Sequence, residues 1–345
     1  MKNLINLILL LGIFAAGAVL AQAENFREDL SKRGTTAAAF LEIGVGSRAL
    51  AMGGAYTGVA DGPSALYWNV AGIANMERNS VLFNHTEWIA DTRFDFVGGV
   101  FPLGSLGTVG IGLTALTMDE MDVTTVSQPE GTGQRFRAGD YAVSLAYALR
   151  LTDRFAIGFN PKIIHQSIWD MSATTVAIDL GVHYKTPFDG ITLGFSMTNF
   201  GGNMRMSGEN NRVLYDLDPT STGNNERLPA LLEGDSWQLP LNFKIGLAYE
   251  LLKNENNAIL LALDAQHPNN DYESVQLGIE YQFGKFVALR AGHSSLFLKD
   301  TETSVTLGAG LNYPFLGNLM MHLDYAYADF GMLESIQKFS LGFDF

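Results

Sequence analysis

The sequence predicts an all-β fold, a 14-stranded antiparallel transmembrane β-barrel with a short N-terminal plug or hatch segment, and three observations carry that expectation. Apolar residues alternate with small or polar ones over many stretches of about nine to eleven residues, the length a tilted strand needs to cross a bilayer. These stretches number fourteen, an even count, and the connections between them sort into short and long by parity. The final residues, Phe339-Ser340-Leu341-Gly342-Phe343-Asp344-Phe345, also alternate and stop on an aromatic.

Composition narrows the class. Of 345 residues, 47% are hydrophobic and 17% charged, against roughly 25% charged in soluble domains. The 36 acidic and 22 basic residues leave a net charge of −14, beside a mean hydropathy of +0.10. The absence of a dense basic face excludes nucleic acid as a partner. Low charge with 11% aromatics excludes a disordered chain. No cysteine is present, which excludes disulfides, thiol nucleophiles, thiolate metal sites and a lipobox anchor.

Residues 1–23 read as a signal peptide. Lys2 supplies a positive start, residues 4–20 an apolar core, and Ala21-Gln22-Ala23 the small-x-small form of a signal-peptidase site. The alternative is a retained N-terminal anchor, which the polar Glu24-Asn25 disfavours. Nothing after Ala23 approaches the roughly 18 consecutive apolar residues of a membrane helix. Periodicity therefore decides between a soluble and a membrane fold.

Two further divisions follow: 24–78, the plug or hatch segment, and 79–345, the barrel. In the barrel, Phe243, Ile245, Leu247, Tyr249 and Leu251 share one face, and Lys244, Gly246, Ala248 and Glu250 share the other. The stretches 178–184, 275–283 and 305–313 repeat the pattern. A soluble sandwich alternates too. Here, however, Tyr249, Tyr281, Phe283, Tyr313, Tyr325 and Tyr327 mark the ends of the apolar faces, as interfacial girdles do. The opposite faces mix glycine and alanine with Lys162, Asp179, Lys244, Glu280, Arg290 and Asp324. So many unpaired charges suit a wet or plugged lumen and not a dry core.

The predicted strands are 79–88, 92–101, 106–117, 136–150, 154–169, 172–185, 190–200, 237–251, 257–267, 272–283, 285–296, 302–313, 318–330 and 335–345. Even-numbered connections are short: 102–105, 151–153, 186–189, 252–256, the Gly284 turn and 314–317. The odd-numbered ones include the long 118–135 and 201–236. Barrels place short turns at the periplasm and long loops outside. The expected location is the bacterial outer membrane, with both termini periplasmic. The C-terminal run resembles the signal by which insertion machinery recognises outer-membrane barrels.

Residues 24–78 do not alternate cleanly. Asp61 or Ser64 is placed to cap a short helix through Tyr67-Trp68-Asn69, with Gly72 near its end. The lumen-facing glycines Gly181, Gly246, Gly278 and Gly308 either give such a segment room or relieve wall curvature. Sequence leaves both open.

The run Phe40-Leu41-Glu42-Ile43-Gly44-Val45-Gly46-Ser47-Arg48-Ala49-Leu50-Ala51-Met52-Gly53-Gly54-Ala55-Tyr56, with Val59-Ala60-Asp61-Gly62 and Ala65-Leu66-Tyr67-Trp68-Asn69-Val70-Ala71-Gly72-Ile73-Ala74, resembles the amino-terminal signature of the PorV/PorQ family. The resemblance covers about residues 40–75 and implies a fourteen-stranded FadL-type outer-membrane barrel with an N-terminal hatch. It marks Asp61, Trp68, Asn69, Ala71 and Gly72 as hatch-motif residues. The family's Asn-Pro-Ala reads Asn69-Val70-Ala71 here, so Val70 replaces the usual hatch proline.

By resemblance, the first function expected is an accessory of protein secretion, type IX-like, that binds the C-terminal signals of exported cargo or other secretion-system proteins. A FadL-like channel for uptake of hydrophobic small molecules is the alternative, and an outer-membrane lipid-modifying enzyme stands third. The partners implied are outer-membrane lipid, with secretion proteins and cargo signals or a hydrophobic ligand in the lumen. In 201–236, Leu228, Leu231, Leu232 and Trp237 beside acidic groups suit either a protein-binding ledge or a lid over a greasy pocket.

No catalytic, cofactor or metal site is expected. Gly110-Ile111-Gly112-Leu113-Thr114-Ala115 fits GxGxxA but lies inside a strand, with no helix N-terminus to receive a pyrophosphate. The histidines His85, His165, His183, His267, His293 and His322 show no local metal-ligand spacing. Adjacent His293 and Ser294 point to opposite faces of a strand, which disfavours a Ser–His pair. Asp216, Asp218, Glu226, Glu233 and Asp235 lack EF-hand spacing and read as a solvated loop face.

Overall fold

The computed structural model describes residues 32–345 apart from 219, 221–226, 255, 285, 299–304, 316 and 332–334. The signal-peptide reading and Glu226 lie outside the described residues. Fourteen long strands form the wall: β1 (Ser80–Trp88), β2 (Thr92–Pro102), β3 (Thr108–Met118), β4 (Ala138–Thr152), β5 (Phe155–Ile168), β6 (Met171–Lys185), β7 (Ile191–Gly201), β8 (Asn242–Lys253), β9 (Asn257–Pro268), β10 (Ser274–Phe283), β11 (Val287–Leu296), β12 (Val305–Pro314), β13 (Met320–Asp329) and β14 (Ser335–Asp344). Each pairs antiparallel with its sequence neighbours, and β14 pairs antiparallel with β1, Ser340 opposite Asn84. The sheet therefore closes and leaves the wall no open edge.

Period-two alternation sorts the side chains. Val97, Leu113, Val143, Ile163 and Val176 face one another in register from β2 to β6, and all five are exposed. An unbroken apolar row on the outside of a closed barrel is what hydrocarbon requires and water does not. Among the described residues no helix is long and apolar enough to cross a membrane. The inward face carries Asp179, Lys244, Glu280 and Arg290, all buried. These charges do not sit in a wet lumen as isolated groups. Lys162 pairs with Asp179 at 2.8 Å, and Arg290 pairs with both Glu280 and Asp324 at 2.5 and 2.6 Å.

Connections sort by end. One end of the barrel carries only short links and Phe345; the other carries the long 119–137 and 202–241 together with the short 89–91, 169–170 and 269–273. The longer of these holds an antiparallel ribbon, Arg212–Tyr215 with Leu228–Leu231, and sets Ser207 and Gly208 against β6. Strand β8 begins at Asn242, five residues later than its alternation suggests. Pro240 has no N–H for the ladder, and Trp237 pairs instead with Met204 across the loop.

The chain enters at the long-loop end. Thr36 bridges Gln238, and Arg33 pairs with Asp271 in the β9–β10 connection. It then descends inside the ring to Ser80 at the short-turn end. Of the expected periplasmic placement of both termini, the amino-terminal part concerns residues 24–31, outside the described ones, whereas the carboxy-terminal Phe345 is described. Lys32 and Phe345 themselves lie at opposite ends of the barrel.

Within this inner segment the expected helix is broken in two. Ala65–Trp68 is one helical turn, and Ser64 makes no side-chain cap; its hydroxyl instead donates to the Asp61 carbonyl. Asn69 is extended (φ −160°, ψ 99°) and its side chain caps the next turn, Val70–Asn75, by accepting from the Ala71 N–H. Gly72 lies inside that second turn rather than ending the first.

Candidate functional site: the inner segment and its two cavities

Glycines in the wall let the segment lie against it. A Cβ on Gly181 would meet Asn69 Oδ1 at 2.3 Å, on Gly246 the Gly58 nitrogen at 2.6 Å, on Gly278 the Met52 carbonyl at 2.6 Å, and on Gly308 the Ala51 Cβ at 2.4 Å. Of the two roles left open by sequence, these four make room for the inner segment.

Polar side chains then hold it in place. Asp264 on β9 accepts the Tyr56 and Thr57 N–H groups at 3.0 and 2.7 Å. Thr306 on β12 accepts from the Gly53 N–H at 3.0 Å. Arg48 is the strongest tie. Its Nε and Nη2 donate to the two Glu280 oxygens at 2.7 and 2.8 Å, and its Nη1 donates to both Asp61 oxygens at 2.7 and 2.9 Å. Burial opposes the Arg48 charge, but the Asp61 and Glu280 carboxylates more than offset it and raise the pKa well above the ordinary arginine value.

Each residue of the expected hatch motif has a definite place. Asp61 is the exposed partner of Arg48 and accepts the Tyr56 hydroxyl at 2.8 Å. Trp68 is buried and donates from Nε1 to the Val45 carbonyl at 2.7 Å, with the Lys244 ammonium 4.5 Å from its ring centre. Asn69 donates to the Thr57 and Val182 carbonyls at 2.9 and 3.0 Å, tying two parts of the segment to β6. Ala71 is fully buried against Gly158 and Gly181, and Gly72 is required because a Cβ there would lie 2.1 Å from the Ala60 carbonyl. Asp61 and Trp68 belong to the tie and the partition, while Asn69, Ala71 and Gly72 pack against β5 and β6.

Asn69→Ala would strip partners from the Thr57 and Val182 carbonyls and the Ala71 N–H. The expected loss is about 2–4 kcal/mol, read as a lower melting point of the folded band in unboiled gels. An unchanged melting point would mean that these groups find other partners.

The segment divides the lumen. At the long-loop end a cavity of about 600 Å³ is bounded by Tyr67, Trp68, Trp88 and Phe330, with Lys244 and Lys338 among its polar lining. Burial raises the Tyr67 hydroxyl above its ordinary pKa, the Glu42 and Asp179 carboxylates adding to the effect. At the short-turn end a second cavity of about 310 Å³ lies between Arg48, Asp61, Pro63 and Tyr56 on one side and His322, Asp324 and Asp344 on the other. Sequence reasoning missed Arg48, Asp264 and Thr306 as anchors. The available signal was a lone base in a run of small residues facing single acids on the lumen side of strands.

The remaining sequence-level sites do not assemble. Gly110 and Gly112 lie in β3, where Cβ atoms would meet Leu66 at 2.6 Å and Ser144 at 2.8 Å. His183 packs on Asn75 and His322 between Asn312 and Asp344. Among the described residues no three His, Cys, Asp or Glu side chains are grouped to hold a metal ion.

The model of an uncharacterised protein family, UPF0164, matches residues 14–344. No curated protein matches the chain in sequence. Among solved structures, the Pseudomonas putida toluene transporter TodX is similar at 13% identity and a TM-score of 0.53, covering 87% of this chain and 97% of that one. The Ralstonia pickettii toluene transporter TbuX matches at 14% identity and a TM-score of 0.53, with the same coverage of 87% and 97%. A Pseudomonas aeruginosa FadL homologue matches at 12% identity and a TM-score of 0.50, covering 87% and 98%. At these identities the likeness is one of fold, the FadL-type barrel.

Proposed function

Since the chain belongs to the uncharacterised protein family UPF0164, we propose its function from the geometry: an outer-membrane conduit for hydrophobic small molecules, in which residues 36–76 act as the hatch. One observation carries this reading. The same segment lines a cavity of about 600 Å³ toward the loops and one of about 310 Å³ toward the short turns, so its displacement would join them. Aromatic walls in the larger cavity suit an apolar solute. The outward apolar rows supply the lipid-facing surface. The solved neighbours described as toluene transporters support transport over the secretion accessory that the PorV/PorQ resemblance ranks first.

The secretion reading keeps one observation of its own. Leu214, Tyr215, Leu231, Leu232 and Trp237 are exposed on the 202–241 connection and are available to a protein partner. Uptake of radiolabelled toluene and palmitate by cells with and without the protein tests the preferred reading. Faster uptake of either with the protein supports it. Equal uptake of both, with secretion proteins co-purifying from native membranes, would replace it with the accessory role.

A further inference from the structure

We propose a second role for the inner segment, independent of what the barrel carries: Gly44-Val45-Gly46-Ser47 clamps β1 to β14 and so assists closure of the barrel. Asn84 of β1 and Ser340 of β14 stand directly opposite each other at the seam, both buried on the lumen side. The Gly46 N–H donates to Asn84 Oδ1 at 3.0 Å, and the next N–H, of Ser47, donates to Ser340 Oγ at 2.8 Å. Consecutive residues of the segment thus hold the two members of one strand pair.

Further bonds complete the clamp. Ser47 Oγ donates to the Lys338 carbonyl at 2.9 Å, and the Lys338 ammonium donates back to the Gly44 carbonyl. Asn84 Nδ2 crosses the seam to the Phe339 carbonyl at 2.8 Å. The Lys338 ammonium also lies 5.3 Å from the centre of the Phe94 ring on β2, which extends the connection one strand further. The anchors at Asp264 and Thr306 differ, since each holds the segment to a single strand.

Closure is where such help matters. The partners at the seam, Asn84 and Phe339, are 255 residues apart, whereas Gly46 and Asn84 are 38 apart. Non-local pairing must overcome loop-closure entropy before its contacts form. The segment can meet β1 first, and the two together offer β14 a strand edge with donors already in place. Buried polar groups specify this register, because a one-residue slip would turn Ser340 and Lys338 toward lipid.

Refolding of the urea-unfolded full chain into phosphatidylcholine vesicles tests the role, followed by tryptophan fluorescence and by the faster migration of unboiled barrel in gels. Asn84→Ala with Ser340→Ala is expected to slow folding about tenfold. Asp264→Asn, which loosens the segment away from the seam, is expected to speed unfolding and leave the folding rate near that of the unsubstituted chain. Equal slowing by both variants, or a seam variant that folds at the original rate, overturns the proposal. If the double variant yields no folded barrel, Ser340→Ala alone gives the same comparison with the same two outcomes.

Discussion

Arg48→Met is expected to destabilise the folded chain by about 3 kcal/mol and to raise the conductance of the reconstituted barrel to small ions. Methionine keeps most of the side-chain length and apolar stem and removes the fork of donors. The cost falls on Glu280, whose side chain is 2% exposed and would lose two of its donors while keeping Arg290. Asp61 contributes little to that figure, because its side chain is 54% exposed and water can replace the pairing. Arg48→Lys should fall between the two, retaining the charge without the bidentate geometry. Chemical unfolding gives the stability and single-channel recording the conductance. A variant as stable and as closed as the parent would show that the Arg48–Glu280 tie does not hold the segment down.

Gly292→Ala is expected to prevent the segment from seating, at a cost of about 3 kcal/mol or more. The added methyl would lie 2.1 Å from the Gly53 nitrogen and 2.2 Å from the Met52 carbonyl carbon. Both are backbone atoms, so no rotamer change relieves the overlap, and Gly53 is itself held at φ +67° against the His293 backbone. Gly342→Ala is the matched control. Its methyl would find its nearest neighbour, His322 Cβ, at an ordinary 3.5 Å, and the expected change is within about 0.5 kcal/mol. Limited trypsin digestion of the folded barrel reads the difference, because cleavage after Arg48 requires the segment to leave its site. Equal protection of Arg48 in both variants would contradict the prediction.

The wall was largely legible in the sequence because each lipid-facing position is followed by a lumen-facing one. Phe243, Ile245 and Leu247 repeat a two-residue rule that needs no knowledge of their neighbours. Connection parity then told the short-turn end from the long-loop end, because successive antiparallel strands alternate in direction. The inner segment obeys no such local rule. Its conformation is set by partners far away in the chain: Asn69 by Val182, Gly46 by Asn84, Tyr56 and Thr57 by Asp264. Lumen acids and bases looked unpaired for the same reason. Lys162 and Asp179 meet only because β5 and β6 are adjacent, and Glu280 needs Arg48 from a different part of the fold. The split of the expected helix at Asn69 was also out of reach, because the residue that caps the following turn also bonds β6, a partner 113 residues away.

A disulfide across the partition tests most directly whether it must move for a solute to pass. The chain has no cysteine of its own, so a single engineered pair is unambiguous. Pro63 and Gly98 come close enough for it: the Pro63 Cβ lies 3.2 Å from where a Gly98 Cβ would stand, slightly inside the roughly 3.5–4.5 Å of natural bridges, and the Phe96 ring, 2.8 Å from the same point, must turn aside to admit it. The link would tie the turn that lines the smaller cavity to β2 and leave the seam clamp at residues 44–47 untouched. Pro63→Cys with Gly98→Cys is expected to take up labelled hydrophobic compound when reduced, lose that uptake on oxidation, and regain it with dithiothreitol. Uptake that proceeds equally with the disulfide formed would contradict the account, because the two cavities would then communicate without displacement of the turn.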